Sequence, residues 1–167
     1  MADNFCHHLT KNGTADVCEK SGKIPHHLIF STKNWTPFLV VAELHKEMLA
    51  YLASIMKAYE SPAQIVGGTA DHIHILCALS RSAAVARVIG EAKRNSSKWI
   101  KTKGGDLELF QWQNGYGAFS VSFSKIAEVR EYIADQMNHH KKMSFQEEFR
   151  LFLRKHSLDF NEAYVWD

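Results

Sequence analysis

The chain has 167 residues, of which 46% are hydrophobic and 23% charged, and a formal net charge of +2. That balance belongs to a folded globular protein rather than a disordered one, and the length suits one domain with a sizeable core better than two. No apolar run approaches the roughly 20 residues of a membrane span. The first residues, MADNFCHHLTKNG, lack the apolar stretch of a secretory signal. Three cysteines (Cys6, Cys18, Cys77) at no metal-like spacing fit reduced thiols better than a disulfide framework, so a cytoplasmic protein is expected.

Residues 1–22 have no hydrophobic period and read as a loose leader, with a single domain over 23–167. Cys6, His7, His8 and Cys18 lack the second ligand pair of a recognisable zinc site. From His26 the run HHLIFST predicts a short strand. Thr36-Pro37 has the chemistry of a helix start, and Leu44, Met48, Tyr51, Leu52, Ile55, Met56 and Tyr59 recur at helical spacing as far as about Glu60. Ala63 to Val66 and His72 to Leu79 predict two strands of an antiparallel hairpin, with Gly67-Gly68 as the turn. Ser82 is positioned to cap a second helix through Ile100, whose apolar face carries Val85, Val88, Ile89, Ala92, Ser96 and Trp99. Arg87, Arg94 and Lys98 form a stripe on the opposite face, with Lys101 at its end, Lys93 beside it and only Glu91 opposing. A solvated face is the ordinary reading of such a stripe, and a phosphate backbone is the functional one.

After Gly104-Gly105 comes FQWQNGYGAFSVSFS, in which Phe119, Val121 and Phe123 alternate with serines as a half-buried strand does. Gly115 and Gly117 bracket Tyr116. Ser124 is a candidate N-cap for a third helix with Ile126, Val129, Ile133 and Met137 on its apolar side. Tyr132, Gln136 and His139 lie on a neighbouring side of that helix. Ser144-Phe-Gln-Glu147 is a capping box that opens a last helix burying Phe145, Phe149, Phe152 and Leu153. The order strand, helix, strand, strand, helix, strand predicts an α+β, ferredoxin-like split βαβ fold. Its antiparallel sheet would have helices on one face, with an appended C-terminal helical segment able to lay Tyr132 and Gln136 over the other.

His72 and His74 stand two apart on a strand, so both imidazoles leave the same face and can hold one metal ion. By itself His-x-His is common and mostly unliganded. Here, however, the blocks DHIHIL, KRNSSKWI, WQNGYGAFSVS and YIADQMNHHKKMSFQEEF follow one another in an order that resembles the single-tyrosine HUH transposases of small insertion sequences, the IS200/IS605 type. The likeness runs from about His26 to Asp167. It implies that His72 and His74 are paired metal ligands, that Tyr132 is the nucleophile, and that Gln136, one turn along the same helix, is the third ligand. It further implies a magnesium or manganese ion and a 5′-phosphotyrosine intermediate. The partners it implies are single-stranded DNA with a subterminal hairpin and a second copy of the chain, in a homodimer whose tyrosine helix completes its partner's site.

Most relatives would carry Met-Pro where Thr69-Ala70 stand, and an arginine where Trp35 stands. Lys33, Arg87, Arg94 and Lys98 are the candidate backbone contacts, and Trp99, Trp112 or Tyr116 the candidate base-stacking rings. Tyr116 is the rival nucleophile. The competing functions are a replication or conjugation nickase, a domesticated hairpin-binding protein without turnover, and an unrelated His-x-His hydrolase.

Overall fold

The computed structural model describes residues 23–80, 82–140 and 143–162. Four strands form one antiparallel sheet: β1 (Pro25–Ser31), β2 (Ala63–Gly68), β3 (His72–Ala78) and β4 (Gly117–Ser120), in the order β2-β3-β1-β4. β3 is thus inserted between β1 and β2, the split βαβ arrangement expected from the element order. Helix α1 (Ala42–Ala58) crosses from β1 to β2, and α2 (Val85–Lys101) from β3 to β4.

Period-two alternation on the two central strands divides the molecule into two layers. Leu28 and Phe30 of β1 and Ile73, Ile75 and Cys77 of β3 face α1 and α2. There they pack with Met48, Leu52, Ile55 and Met56 of α1 and with Val88, Ile89, Ala92 and Ile100 of α2, all in the main core. The opposite face presents His27, Ile29 and Ser31 of β1 with His72, His74 and Leu76 of β3, every one of them buried. Such polarity on a buried sheet face requires partners, and the chain after β4 supplies them. Helices α3 (Ile126–Ala134), α4 (Gln136–His139) and α5 (Phe145–Lys155) follow there. Ile29, Phe119, Phe145, Phe149 and Leu153 make the second, smaller core under them.

Several expected boundaries move. Thr36-Pro37 does not start α1, because Phe38 and Leu39 are drawn toward the main core and the Leu39 N–H donates to the Ala70 carbonyl, so the helix begins only at Ala42. Gly67 and Gly68 do not form the hairpin turn either. They are the last residues of β2, and Thr69 to Asp71 make the connection. A Cβ on Gly67 would sit 2.6 Å from the Ile133 carbonyl oxygen, so that glycine exists to let α3 lie against the sheet edge. β4 stops at Ser120, and Phe123 is exposed in a short 3₁₀ turn, Phe123–Lys125, ahead of α3. Ser124 therefore does not cap the helix, whose N-cap is Lys125.

The third predicted helix is in fact two. Asp135 still bonds to the Glu131 carbonyl but turns out of helical geometry (φ −94°, ψ 9°), so Tyr132 lies in α3 and Gln136 opens α4. The capping box at Ser144 is present as expected, with the Ser144 hydroxyl accepting from Glu147 N–H and the Glu147 carboxylate accepting from Ser144 N–H. The leader and the Cys6, His7, His8, Cys18 group lie outside the described residues, as does the end of the chain after Glu162.

Candidate active site

β3 aims His72 and His74 into the space between sheet and helices, and both are fully buried. The His72 Nδ1–H points at Asp71 Oδ1, 2.7 Å away, while the Thr69 hydroxyl donates to the same carboxylate oxygen over 2.7 Å. An outer carboxylate of this kind fixes ring orientation and leaves Nε2 facing inward. Thr69 is therefore part of the frame that sets His72. Phe145 of α5 stacks on the same ring with centroids 4.7 Å apart.

His74 is set by a residue the sequence reading passed over. His27 shares its sheet face on the neighbouring strand, and its Nε2 lies 2.9 Å from His74 Nδ1. His74 Nε2 then points inward without a hydrogen-bond partner. Gln136 is buried, its Oε1 lying 3.2 Å from His72 Nε2 and its amide nitrogen donating to Glu148 Oε1 over 3.1 Å. Glu148 of α5 is buried as well, with Oε2 at 3.1 Å from His140 Nε2 and 3.4 Å from His74 Nε2.

Donor atoms from His72, His74, His140 and Glu148 all fall within 4.8 Å of one another, and these four residues can hold a metal ion. Bound ions sit about 2.0–2.3 Å from such donors, so the cluster must draw in by up to about 1 Å to close on one. The donor set fits a divalent cation, and the orphaned, fully buried His74 Nε2 is the clearest mark of it.

Tyr132 lies beside this cluster. Its ring centroid is 5.9 Å from His74, 6.2 Å from His27, 5.3 Å from His139 and 5.8 Å from Phe152. It lines a pocket of about 260 Å³ together with His27, Glu128, His139, Glu148 and Lys155. The four residues expected to form the centre, His72, His74, Tyr132 and Gln136, are thus assembled by one chain.

The expected nucleic-acid residues are placed elsewhere. Arg87, Arg94 and Lys98 are exposed on the outer side of α2, in the layer across the sheet from the histidines, and Arg94 is paired with Glu91. Lys33 is exposed just beyond Ser31, the register partner of His72. Lys93 does not belong to the stripe. Its ammonium turns inward and donates to the carbonyls of Gln113, Asn114 and Gly115 at 2.8, 3.1 and 2.7 Å, fastening the loop that presents Tyr116. Of the three candidate stacking rings, Trp112 is a core residue bonded to Ser96 Oγ, and Trp99 is half-buried and stacked on Tyr51. Tyr116 is 41% exposed.

His27 and Glu148 could both have been found. His27 is the only polar side chain at its parity in a strand that is otherwise apolar there until Ser31, and Glu148 interrupts the stripe Phe145, Phe149, Phe152 at an inward position. Burial holds the His27 imidazole down to about 3 and His140 to about 4, pushes His74 well below its ordinary range, and raises the Glu148 carboxyl to about 8. With no metal bound, these shifts pull in opposite directions. As pH falls from 8, folded Glu148 takes up a proton before the unfolded chain does, which stabilises the fold. Below 6.5 the unfolded chain protonates its histidines while the folded chain cannot, and three rings outweigh one carboxyl. The urea midpoint in chelator will therefore peak near pH 6.5 and fall steadily toward pH 4; a midpoint that climbs below pH 6 contradicts this.

The fold is α+β with a four-stranded antiparallel sheet, and the site is a buried histidine cluster with a tyrosine beside it. The sequence matches the IS200-like transposase family over residues 20–136, and the chain belongs to that family. No curated protein matches it. Its structure is similar to the crystal structure, at 1.90 Å, of a Deinococcus radiodurans R1 protein described as a transposase. The TM-score is 0.53 at 20% identity, covering 68% of this chain and 91% of that one. It is also similar to a REP-associated tyrosine transposase bound to a REP hairpin, with a TM-score of 0.47 at 12% identity, covering 66% of this chain and 62% of that one. No described helix is long and apolar enough to cross a membrane.

Proposed function

We propose that the chain is a metal-dependent single-stranded DNA transposase that cleaves and rejoins DNA through Tyr132, with residues 23–167 acting as one domain. The observation that carries this reading is Tyr132 lining a pocket beside the buried pair His72 and His74, 5.9 Å from the latter between ring centroids. His72, His74 and Gln136 would hold a magnesium or manganese ion, which when bound neutralises a non-bridging phosphate oxygen and orients the phosphate. The Tyr132 oxygen attacks phosphorus, forming a P–O bond to tyrosine as the bond to the 3′ oxygen breaks. The leaving 3′ oxygen takes a proton and becomes a free hydroxyl, while the 5′ phosphate stays on Tyr132. A second 3′-hydroxyl reverses the step and rejoins the strand. Ester is exchanged for ester, so no nucleotide is consumed.

Asp71 and His27 keep the two histidine rings oriented, and Phe152 and His139 hold the tyrosine ring edge-on. Lys33, Arg87, Arg94 and Lys98 are exposed cations suited to a hairpin backbone, so duplex would be gripped on the α2 side while the single strand enters the Tyr132 pocket. The active form would be a homodimer acting on cytoplasmic DNA. The test is incubation of labelled single-stranded DNA carrying hairpins from the flanks of the gene with Mg²⁺ or Mn²⁺, followed by denaturing electrophoresis. A covalent adduct that chelator prevents supports the reading. Hairpin binding with no adduct across both metals and both flanks would instead identify a domesticated binding protein.

A further inference from the structure

The family match ends at residue 136, yet the buried cluster does not. His140 and Glu148 lie beyond it, and Glu148 belongs to α5, a helix whose apolar side already explains why it packs. A carboxylate at an inward position of that stripe needs a reason. Burying an anion is unfavourable unless something positive compensates it.

The Gln136 amide nitrogen donates to Glu148 Oε1, and hydrogen-bond logic shows that Oε2 gains no such donor from the neutral His140 beside it. His140 Nδ1 lies 2.7 Å from the Met143 carbonyl oxygen, which can only accept, so Nδ1 carries the proton and the neutral ring turns a lone pair at Nε2 toward Glu148 Oε2, 3.1 Å away. His72 Nδ1 faces the Asp71 carboxylate, so its Nε2 also offers a lone pair, toward Gln136 Oε1 at 3.2 Å. The Gln136 amide is fixed in that sense because its nitrogen must be the end that meets Glu148. His74 Nε2, fully buried, has no hydrogen-bond partner and sits 3.4 Å from Glu148 Oε2. Lone pairs therefore converge from the His72 and His140 imidazoles, an amide oxygen and a carboxylate, around a His74 nitrogen with no hydrogen-bond partner. One proton on Glu148 relieves a single contact among them, whereas a dication relieves all.

We infer that Glu148, together with His140, ligates the ion held by His72 and His74, so that α5 closes the metal centre and the site prefers a transition-metal dication to magnesium. This rests on the metal-dependent reading above and extends it to the ligand set and the class of ion. Imidazole nitrogens suit nickel or zinc, and manganese accepts them beside a carboxylate, while magnesium favours all-oxygen surroundings and keeps its water. A carboxylate from α5 also ties ion binding to the docking of that helix. The ion joins a strand of the sheet to a helix separated from it by some seventy residues of chain, an approximate separation that follows from the numbering of His74 and Glu148.

The experiment is titration of the full-length, chelator-stripped protein with Mn²⁺ and, separately, Mg²⁺ by calorimetry. Wild type and Glu148→Gln are compared, and hydrogen exchange over residues 145–155 is followed with and without Mn²⁺. Glutamine keeps the shape and can still accept from Gln136, so the variant retains the fold, which its metal-free thermal midpoint checks. The inference expects Mn²⁺ to bind wild type at least tenfold more tightly than Mg²⁺. It expects Glu148→Gln to lose ten- to a hundredfold in Mn²⁺ affinity, and Mn²⁺ to slow exchange in α5 of wild type only. Equal Mn²⁺ affinity in the two proteins, or Mg²⁺ binding as tightly as Mn²⁺, overturns it while leaving the transposase reading intact. Failure of either ion to bind wild type overturns both.

Discussion

Tyr132→Phe will abolish the covalent protein–DNA adduct, lowering strand cleavage by at least about a thousandfold, while Tyr116→Phe will cleave as wild type does. The phenolic oxygen is the only heavy atom removed, and in the proposed mechanism it is the atom that forms the bond to phosphorus, so no neighbouring group can make good its loss. The ring contacts with His27, His74, His139 and Phe152 survive the change. Stability should therefore stay within about 0.5 kcal/mol of wild type, and hairpin affinity should be unaltered. Tyr116 makes a clean comparison because it is exposed on a loop fastened by Lys93, and no ring of the histidine cluster is among its contacts. Adduct formation by Tyr132→Phe, at any appreciable rate, would remove this residue from the chemistry.

The second large effect is expected at a residue with no functional group. Gly67 is paired in register with His74, and the α3 backbone crosses directly above it. Alanine there would place its Cβ 2.6 Å from the Ile133 carbonyl oxygen and 2.8 Å from the Ile133 Cγ2. The nearest atom is helix backbone rather than the end of a flexible side chain, so α3 as a whole must move. Tyr132 is the residue next to Ile133. A displacement approaching 1 Å at a reacting group is enough to cost about a hundredfold in rate, whereas overpacking of this kind costs about 1–3 kcal/mol in stability. Gly67→Ala should thus cleave about a hundredfold more slowly while remaining folded. Gly90→Ala, on the open side of α2 with nothing within 4 Å, should gain about 0.5–1 kcal/mol and keep full activity. Cleavage by Gly67→Ala at the wild-type rate would show that α3 does not hold the nucleophile in register.

The sheet order and the assembly of His72, His74, Tyr132 and Gln136 were legible because alternation and helical spacing are local signals. So was the capping box at Ser144. What local pattern did not reveal was determined by contact across the chain. Gly67-Gly68 has the composition of a turn, and its use as a seat for α3 depends on a helix that arrives some sixty residues later, a rough count from the residue numbers. Thr36-Pro37 has the chemistry of a helix start, but Leu39 is needed in the core and holds the backbone extended. The break at Asp135 interrupts a helical period that runs through it unchanged. Glu148 looked like an ordinary charge on an amphipathic helix, since its neighbours in space come from β3 and α4. The resemblance to the transposases supplied the roles of the histidines and the tyrosine, but it assigned none to His27 or Glu148.

The two histidines ride on β3, and their orienting partner His27 rides on β1, the strands that have a hydrogen-bonded neighbour on either side. Opening either strand means breaking two ladders at once, so this half of the centre shares the slowest motions of the molecule. Tyr132 belongs to a nine-residue helix that ends at Ala134 and is laid over the edge strand β2. The centre is therefore held from two sides of unequal depth: the histidines are as firmly fixed as the middle of the sheet, while Tyr132 rests on a short helix seated on an edge strand.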